Sequence, residues 1–97
     1  SSRNKYLNPA QRAAATVLHR ALTAAEQAFA AGERDGAALR DLMHRTISAE
    51  PLARLDYVSA ADPRTLEEWV EIDGELLLST AVFFDRIRLI DNILITP

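Results

Sequence analysis

The residues best suited to chemistry stand at the start of the chain, which opens with Ser1, Ser2, Arg3 and Asn4. Hydroxyl groups are short hydrogen-bond donors and a guanidinium presents a fixed fork of N–H groups, so this combination suits phosphate oxygens. Residues 1–25 contain four basic residues and no acidic one, although the whole chain has a net charge of −3. A binding site for a small polyanion explains this positive segment. A solvated terminus with ordinary surface charges explains it equally well.

Size and composition limit what the rest of the chain can do. Its 97 residues form one domain with a modest core and little room for a deep catalytic pocket. The absence of cysteine removes disulfides and thiolate chemistry and favours an intracellular protein. No stretch approaches the roughly 20 apolar residues of a membrane span, and the negative net charge argues against a nucleic-acid binder. Because the chain begins without Met in a polar stretch, we expect it to be a fragment.

Two helices are predicted in the first half of the chain. The first begins with Asn8 as its N-cap, Pro9 at the first helical position and Gln11 closing a capping box. It ends near Ala31, because Gly32 suits the position that follows a helix. Its apolar stripe has helical spacing and is mostly alanine, so a partner element can approach closely; the stripe consists of Ala14, Val17, Leu18, Ala21, Leu22, Ala25 and Phe29.

The second helix is predicted to run from Asp35, its N-cap, to about Ala49, because Pro51 cannot continue a helix. The short connection between the two helices favours an antiparallel helical hairpin. The apolar stripe of the second helix again has helical spacing and consists of Leu39, Leu42, Met43 and Ile47.

Three strands are predicted in the second half. Leu55 and Tyr57 alternate with polar neighbours and indicate a half-buried strand of about five to seven residues. Residues 76–84 are β-prone and apolar on both faces, which is typical of a central strand. Asp85-Arg86 marks a hairpin turn, and residues 87–95 return as the third strand. One face of this strand is predicted to carry Ile87, Leu89, Asp91 and Ile93, and the other Arg88, Ile90, Asn92 and Leu94.

The connection between the first two strands is expected to be exposed, because residues 62–75 hold six carboxylates and one arginine. Residues 60–64 are typical of a turn, Thr65 is expected to cap one short helical turn that includes Trp69, and Asp73-Gly74 indicates a tight turn. The predicted fold class is α+β, an antiparallel helical hairpin packed on a small, mostly antiparallel three-stranded sheet.

Other chemistry-bearing residue types are better explained by structure. The carboxylates between residues 67 and 75 could be proposed as a divalent-cation site, but nothing fixes their geometry. His19 and His44 lie on different predicted helices without a second ligand at metal spacing, so we predict no metal site. The polar pair Asp91-Asn92 interrupts an apolar strand. We expect it to mark a bulge or strand end, or to make buried hydrogen bonds.

Motifs at both ends of the chain resemble one known family, the C-terminal domain of pantoate–β-alanine ligase (pantothenate synthetase). The similarity covers essentially the whole chain, and its opening and closing motifs are specific together while the middle is generic. The matching segments are Ser1-Ser2-Arg3-Asn4-Lys5-Tyr6-Leu7 with Pro9 and Arg12-Ala13-Ala14, then Leu55-Asp56-Tyr57, and Arg88-Leu89-Ile90-Asp91-Asn92-Ile93.

The resemblance implies an enzyme in which ATP adenylates the carboxylate of pantoate and the amine of β-alanine then displaces AMP. The family's first domain is a Rossmann-like nucleotidyltransferase fold with a His-rich nucleotide motif and the pantoate pocket. Residues 1–97 would be the second domain, a lid over that site, with residues 1–7 as the loop between the domains. The resemblance also implies ATP with magnesium as substrate, a cytoplasmic homodimer, and a fragment that is inactive by itself.

Roles for three residues follow from the resemblance. In the family, the motif Met-Ser-Ser-Arg corresponds to the Lys-Met-Ser-Lys-Ser loop of related adenylating enzymes. Ser1 and Ser2 would donate hydrogen bonds to ATP phosphates, and Arg3 would be the catalytic residue that neutralises charge on the leaving pyrophosphate. A helix N-terminus alone is not expected to form the phosphate site, because Pro9 lacks an N–H and the capping box uses other donors.

The sequence departs from the family pattern in two places. The leading Met of the motif is absent, and the family usually has glycine in the last hairpin, where this chain has Phe84-Asp85-Arg86. A different class of protein also fits the residues, namely a non-catalytic α+β module that holds a partner with its helical hairpin or a strand edge. An upstream nucleotide-binding βαβ pattern would favour the enzyme, and an upstream region like that of a repressor or scaffold would favour the module.

Overall fold

The fold consists of two helices followed by three strands, in a computed structural model that describes residues 6–96. The elements are α1 (Pro9–Ala30), α2 (Gly36–Ser48), β1 (Arg54–Ala61), β2 (Leu76–Phe84) and β3 (Ile87–Ile95). The strands form one sheet in the order β1-β2-β3, and both neighbouring pairs are antiparallel. This arrangement confirms the predicted α+β fold class.

Helix α1 begins and ends where its sequence signals predict. Asn8 and Gln11 form the capping box, and Pro9 occupies the first turn. Ala31 is the C-cap, and Gly32 follows it with a φ of 116°, a left-handed conformation that glycine adopts without steric cost. All seven residues of the predicted apolar stripe are buried, so the alanines bring α1 close to its neighbours in the core.

Helix α2 begins against the segment that connects β1 to β2. The Asp35 carboxylate accepts a hydrogen bond from the N–H of Ala37 at 3.0 Å, as expected of an N-cap. The N–H of Gly36 donates to the carbonyl of Val70 at 2.9 Å. A Cβ at Gly36 would collide with the carbonyl group of Trp69. Glycine is therefore required here by the close approach of two backbones.

Strand β2 is the centre of the sheet, as predicted, and most of its side chains are buried. Helix α1 contacts β2 and β3, and α2 contacts α1 and β1. On β3, Leu89 is 3% exposed, whereas Ile90 and Leu94 are 46% and 56% exposed. The helices therefore cover the face that carries Leu89, and the opposite face of the sheet meets solvent.

Strand β1 is longer than predicted. Ala60 and Ala61 are buried and pair with β2, although turn signals predicted an irregular conformation for residues 60–64. The connecting segment supplies the reason, because it folds back on this end of the strand. The Glu68 carboxylate accepts from the N–H of Ala60 at 3.0 Å, and the N–H of Trp69 donates to the carbonyl of Ala60 at 2.9 Å.

The turn that follows β1 lies one step earlier than expected. The Asp62 carboxylate accepts from the N–H of Arg64 at 2.9 Å, and the Asp62 carbonyl accepts from the N–H of Leu66 at 2.7 Å. Leu66 then leaves the turn with a φ of 63°. The predicted helical turn from Thr65 through Trp69 is therefore wrong, because Asp62 starts the turn and Leu66 ends it.

The connection as a whole is more embedded than its charge suggested. Its carboxylates at 67, 68, 71 and 73 are exposed, as predicted, and Gly74 lies in a bend. Ile72, however, is 5% exposed, and Trp69 packs against the core while its indole N–H donates to the carbonyl of Glu75 at 3.0 Å. Two apolar side chains thus attach an otherwise acidic segment to the domain.

The prediction for the Asp91-Asn92 pair is wrong. These residues pair in unbroken register with Thr80 and Ser79, and β3 continues to Ile95. Asn92 is exposed, and the Asp91 carboxylate accepts only from the N–H of Asn92, at 2.9 Å, among the bonds in residues 6–96. The pair therefore forms neither a bulge nor a buried hydrogen-bond network, because β3 is an edge strand with a wet face.

Replacing Gly36 with alanine is expected to destabilise the domain. The new methyl group overlaps the Trp69 carbonyl, so two backbones must separate, at a cost of about 1–3 kcal/mol. Gly74→Ala is the matched control, since its Cβ would meet only the Trp69 ring at 3.6 Å. Urea unfolding followed by circular dichroism measures both variants. Equal stability of the two variants would contradict the close approach.

Candidate functional site

The three residues predicted to bind phosphate, Ser1, Ser2 and Arg3, lie outside the described residues 6–96. The structure describes the region into which they lead. Leu7 is 4% exposed and belongs to the hydrophobic core, whereas Tyr6 before it is 65% exposed. The chain therefore passes from the surface into the core at this point, four residues after Arg3.

The backbone at the start of α1 is fixed by reciprocal hydrogen bonds. The Gln11 N–H donates to the Asn8 side-chain oxygen at 2.8 Å, and the Asn8 N–H donates to Oε1 of Gln11 at 3.1 Å. The Arg12 N–H donates to the Asn8 carbonyl at 2.9 Å, and Pro9 has no N–H. Most donors of this helix end are thus engaged, which agrees with the expectation that it is not by itself a phosphate site.

Gln11 also connects α1 to the turn between β2 and β3. Its Nε2 donates to Oδ2 of Asp85 at 2.8 Å, across 74 positions of sequence. Asp85 has a φ of 56°, in the left-handed region that glycine adopts most easily and that aspartate tolerates. This is the hairpin in which the resembling family usually has glycine. The unusual residue therefore makes a tertiary hydrogen bond that glycine could not make.

A groove of about 230 Å³ runs beside this point, between α1 and β3. Arg12, Thr16 and His19 line it from successive turns of α1, and Leu89, Ile90 and Asp91 line it from β3. Its polar groups are partly engaged locally, since the Thr16 hydroxyl donates to the Ala13 carbonyl at 2.9 Å. The groove is open and shallow, and it carries charged groups of both signs.

The positive charge predicted for the first part of the chain is not neutralised by ion pairs within the described residues. The ion pairs found within residues 6–96 lie on α2, the sheet and the connection: Arg40–Glu68, Arg45–Asp41, Arg64–Asp62 and Arg88–Asp56. Arg12 and Arg20 on α1 are exposed and form no ion pair with a described residue. This end of the domain thus retains the positive potential that a polyanion requires.

The other residue types considered from sequence are accounted for by the fold. Glu68 pairs with Arg40 at 3.2 Å and accepts from Ser59 and Ala60, so it supports the end of β1. No three His, Asp or Glu residues within residues 6–96 are arranged to hold a metal ion. Within the same range, neither helix has the length and hydropathy needed to cross a bilayer.

Sequence reasoning missed the contact between Gln11 and Asp85. It identified Gln11 as half of a capping box and Asp85 as a turn residue, and both assignments are confirmed. Nothing in the spacing of the two residues indicated that they meet. The glycine-poor hairpin was the one local sign that its tip has a further role.

Comparison with known proteins gives this geometry a family. The family model described as pantoate-beta-alanine ligase matches residues 1–94, and the chain belongs to that family. The match includes both the opening motif and the closing strand from which the resemblance was inferred.

The relatives and solved structures that resemble the chain carry one name. Pantothenate synthetase of Herpetosiphon aurantiacus is 58% identical over 94 residues, which are 96% of this chain and 34% of that protein. That of Chloroflexus aggregans is 59% identical over 93 residues, 95% of this chain and 34% of that protein. A crystal structure of pantothenate synthetase from Thermus thermophilus superposes with a TM-score of 0.88 at 34% identity, covering 96% of this chain and 33% of that one. The chain thus spans about a third of the length of these proteins.

Loss of the α1 cap is expected to weaken the region that follows the motif. Asn8→Ala removes the acceptor for the Gln11 N–H and should destabilise the domain by about 1 kcal/mol. Asn8→Ser keeps an oxygen at the same position and should cost only a few tenths of a kcal/mol. Thermal unfolding of the two variants gives the comparison, and an equal loss in both would show that the cap contributes nothing.

Proposed function

We propose that the chain is the C-terminal domain of an ATP-dependent ligase that condenses pantoate with β-alanine. The reaction would pass through a pantoyl adenylate and release pyrophosphate and then AMP. The observation that carries the proposal is the family match over residues 1–94, which includes the Ser1-Ser2-Arg3 motif. The names of relatives at 58% and 59% identity support it.

In the proposed reaction, the chain's main contribution is at the leaving pyrophosphate. Ser1 and Ser2 donate hydrogen bonds to the phosphates of ATP, and Arg3 neutralises negative charge as the bond between the α- and β-phosphates breaks. Donors aimed at charge that develops in the transition state lower the barrier more than they strengthen substrate binding. Arg12 and Arg20, which form no ion pair within residues 6–96, give this end of the domain the potential that favours a polyanion.

The remaining parts of the reaction belong to a domain outside this chain. The adenosine and pantoate pockets are expected there, and the present domain closes over them as a lid, with residues 1–7 as the loop between the two. We further propose a cytoplasmic homodimer for the whole protein. The carboxylates of residues 6–96 do not fit a magnesium site, so no step is assigned to a metal held by these residues.

Replacing Arg3 in the full-length protein is expected to reduce turnover far more than substrate affinity. Arg3→Ala should lower kcat on the order of a hundredfold, as does removal of one preorganised oxyanion donor, with the KM for pantoate nearly unchanged. Release of pyrophosphate and AMP with pantoate, β-alanine and ATP provides the assay. Wild-type protein without ligase activity would favour the interaction module instead.

Arg64→Ala is the matched control for this experiment. Arg64 is also an exposed arginine, but it follows β1 at the end of the sheet opposite Asp85. Its loss removes the same charge from the protein and should leave kcat within about twofold, as for most surface substitutions. Equal losses in the two variants would indicate that only net charge matters, and unchanged activity of Arg3→Ala would make Arg3 a simple junction residue.

The chain of residues 1–97 by itself is expected to catalyse no condensation, because the proposed adenosine and pantoate pockets lie in the other domain. Incubation of the purified chain with ATP, pantoate and β-alanine should release AMP only at the rate of the buffer. The full-length protein at the same molar concentration is the positive control. Turnover by the isolated chain would contradict the division of labour between the two domains.

A further inference from the structure

One hydrogen bond ties the start of α1 to the far hairpin, and it lies beside the segment to which catalysis is assigned above. We infer that the Gln11–Asp85 hydrogen bond is a positioning device that fixes the place from which Ser1, Ser2 and Arg3 leave the domain. The inference rests on the proposed function. It makes Gln11 and Asp85 positioning residues, which act through the motif without touching substrate.

The Gln11 side chain is held from both ends. It is 8% exposed, and it shares with Thr80 the distinction of being a buried polar side chain within residues 6–96. Its Oε1 accepts from the Asn8 N–H at 3.1 Å, and its Nε2 donates to Asp85 Oδ2 at 2.8 Å. Rotation of the amide by 180° would place an NH₂ group against an N–H and an oxygen against a carboxylate. The two partners therefore permit a single orientation.

This orientation fixes the backbone next to the motif. The Asn8 N–H is bonded to a side chain that is itself bonded to the β-hairpin, Leu7 is buried in the core, and Pro9 has a restricted φ. Arg3 precedes Leu7 by four residues, so its Cα can lie at most about 14 Å from that of Leu7. Because the connecting chain is short, a shift of residues 7–9 is carried directly into the position of the motif.

The conformation of Asp85 argues that its carboxylate has a role. A φ of 56° is adopted by glycine without strain, and glycine is the residue that the family usually has in this hairpin. Backbone geometry therefore gives no reason for aspartate. The hydrogen bond to Gln11 gives one, since it is charge-assisted and lies at the edge of a buried amide.

Misplacement of a catalytic group by about 1 Å can cost on the order of a hundredfold in rate, so a positioning device should act on kcat. Gln11→Glu in the full-length protein is the discriminating variant. Glutamate keeps an oxygen for the Asn8 N–H, but it replaces the NH₂ donor with a carboxylate that faces Asp85. We expect kcat to fall about tenfold or more while the KM for pantoate changes less than about twofold.

A second substitution should restore the bond with donor and acceptor exchanged. In the double variant Gln11→Glu/Asp85→Asn, the asparagine NH₂ can donate to the second glutamate oxygen, and asparagine tolerates a positive φ. We expect kcat to return to within about threefold of wild type, as for other repaired pairs of contacting residues. Asp85→Asn alone keeps an acceptor for Gln11 and should remain close to wild type. A merely structural role would predict no such rescue of kcat.

Asp85→Gly keeps the test informative if Gln11→Glu fails to fold. Glycine fits the left-handed turn, so the domain should stay folded while the acceptor for Gln11 is lost. Amide hydrogen exchange at Asn8 gives a readout that is independent of activity. We expect faster exchange at Asn8 in Asp85→Gly, together with the same fall in kcat as in Gln11→Glu.

The outcomes separate the two proposals. If Arg3→Ala loses turnover while Asp85→Gly and Gln11→Glu keep it, the positioning inference is overturned and the proposed function stands. If Arg3→Ala keeps full turnover, the assigned role of the motif fails and the inference fails with it. A double variant no faster than Gln11→Glu also overturns the inference, whereas rescue of kcat together with normal exchange at Asn8 supports it.

Discussion

The structure depends on the burial of β2 with partners on both edges. Its backbone bonds to β1 and β3, and side chains from Leu76 to Phe84 fill the space beneath the helices. Helix α1 can approach this strand because its buried stripe includes Ala14, Ala21 and Ala25. Small residues on the helix and larger ones on the strand together give the dense packing that protein interiors require.

A second constraint operates at the rim of this core, where the two ends of the chain's sequence meet. Leu7 enters the hydrophobic cluster at the start of α1, and the β2–β3 turn lies beside it through the Gln11–Asp85 bond. The order in which the elements pack thus brings the catalytic motif's exit point to the tip of the most regular hairpin. A rigid scaffold carrying a short functional segment is a common solution in enzymes.

The sequence was sufficient for the elements whose signals are local. The caps of both helices, their apolar stripes and the bounds of β2 and β3 follow from rules that act within a few residues, and the structure confirms each of them. The family, too, could be inferred from short motifs, and the match over residues 1–94 confirms it. The assigned roles of Ser1, Ser2 and Arg3 remain predictions.

What sequence could not give depends on contacts between distant residues. Ala60 and Ala61 continue β1 because Glu68 and Trp69 fold back onto them, which no local propensity encodes. Asp91 and Asn92 look misplaced in an apolar strand until β3 is seen to be an edge strand with one wet face. The partner of Asp85 is 74 positions away. In each case tertiary structure decides what the local pattern leaves open.

The unequal connections of β2 have a consequence for the order of folding. Asp85 and Arg86 alone join β2 to β3, whereas residues 62–75 separate β1 from β2. Closing a short loop costs less chain entropy than closing a long one, and hairpins form within microseconds. The β2–β3 hairpin is therefore the natural nucleus, and β1 joins it later together with Trp69 and Ile72. By the same reasoning β1 is the strand that detaches first when the native domain opens locally.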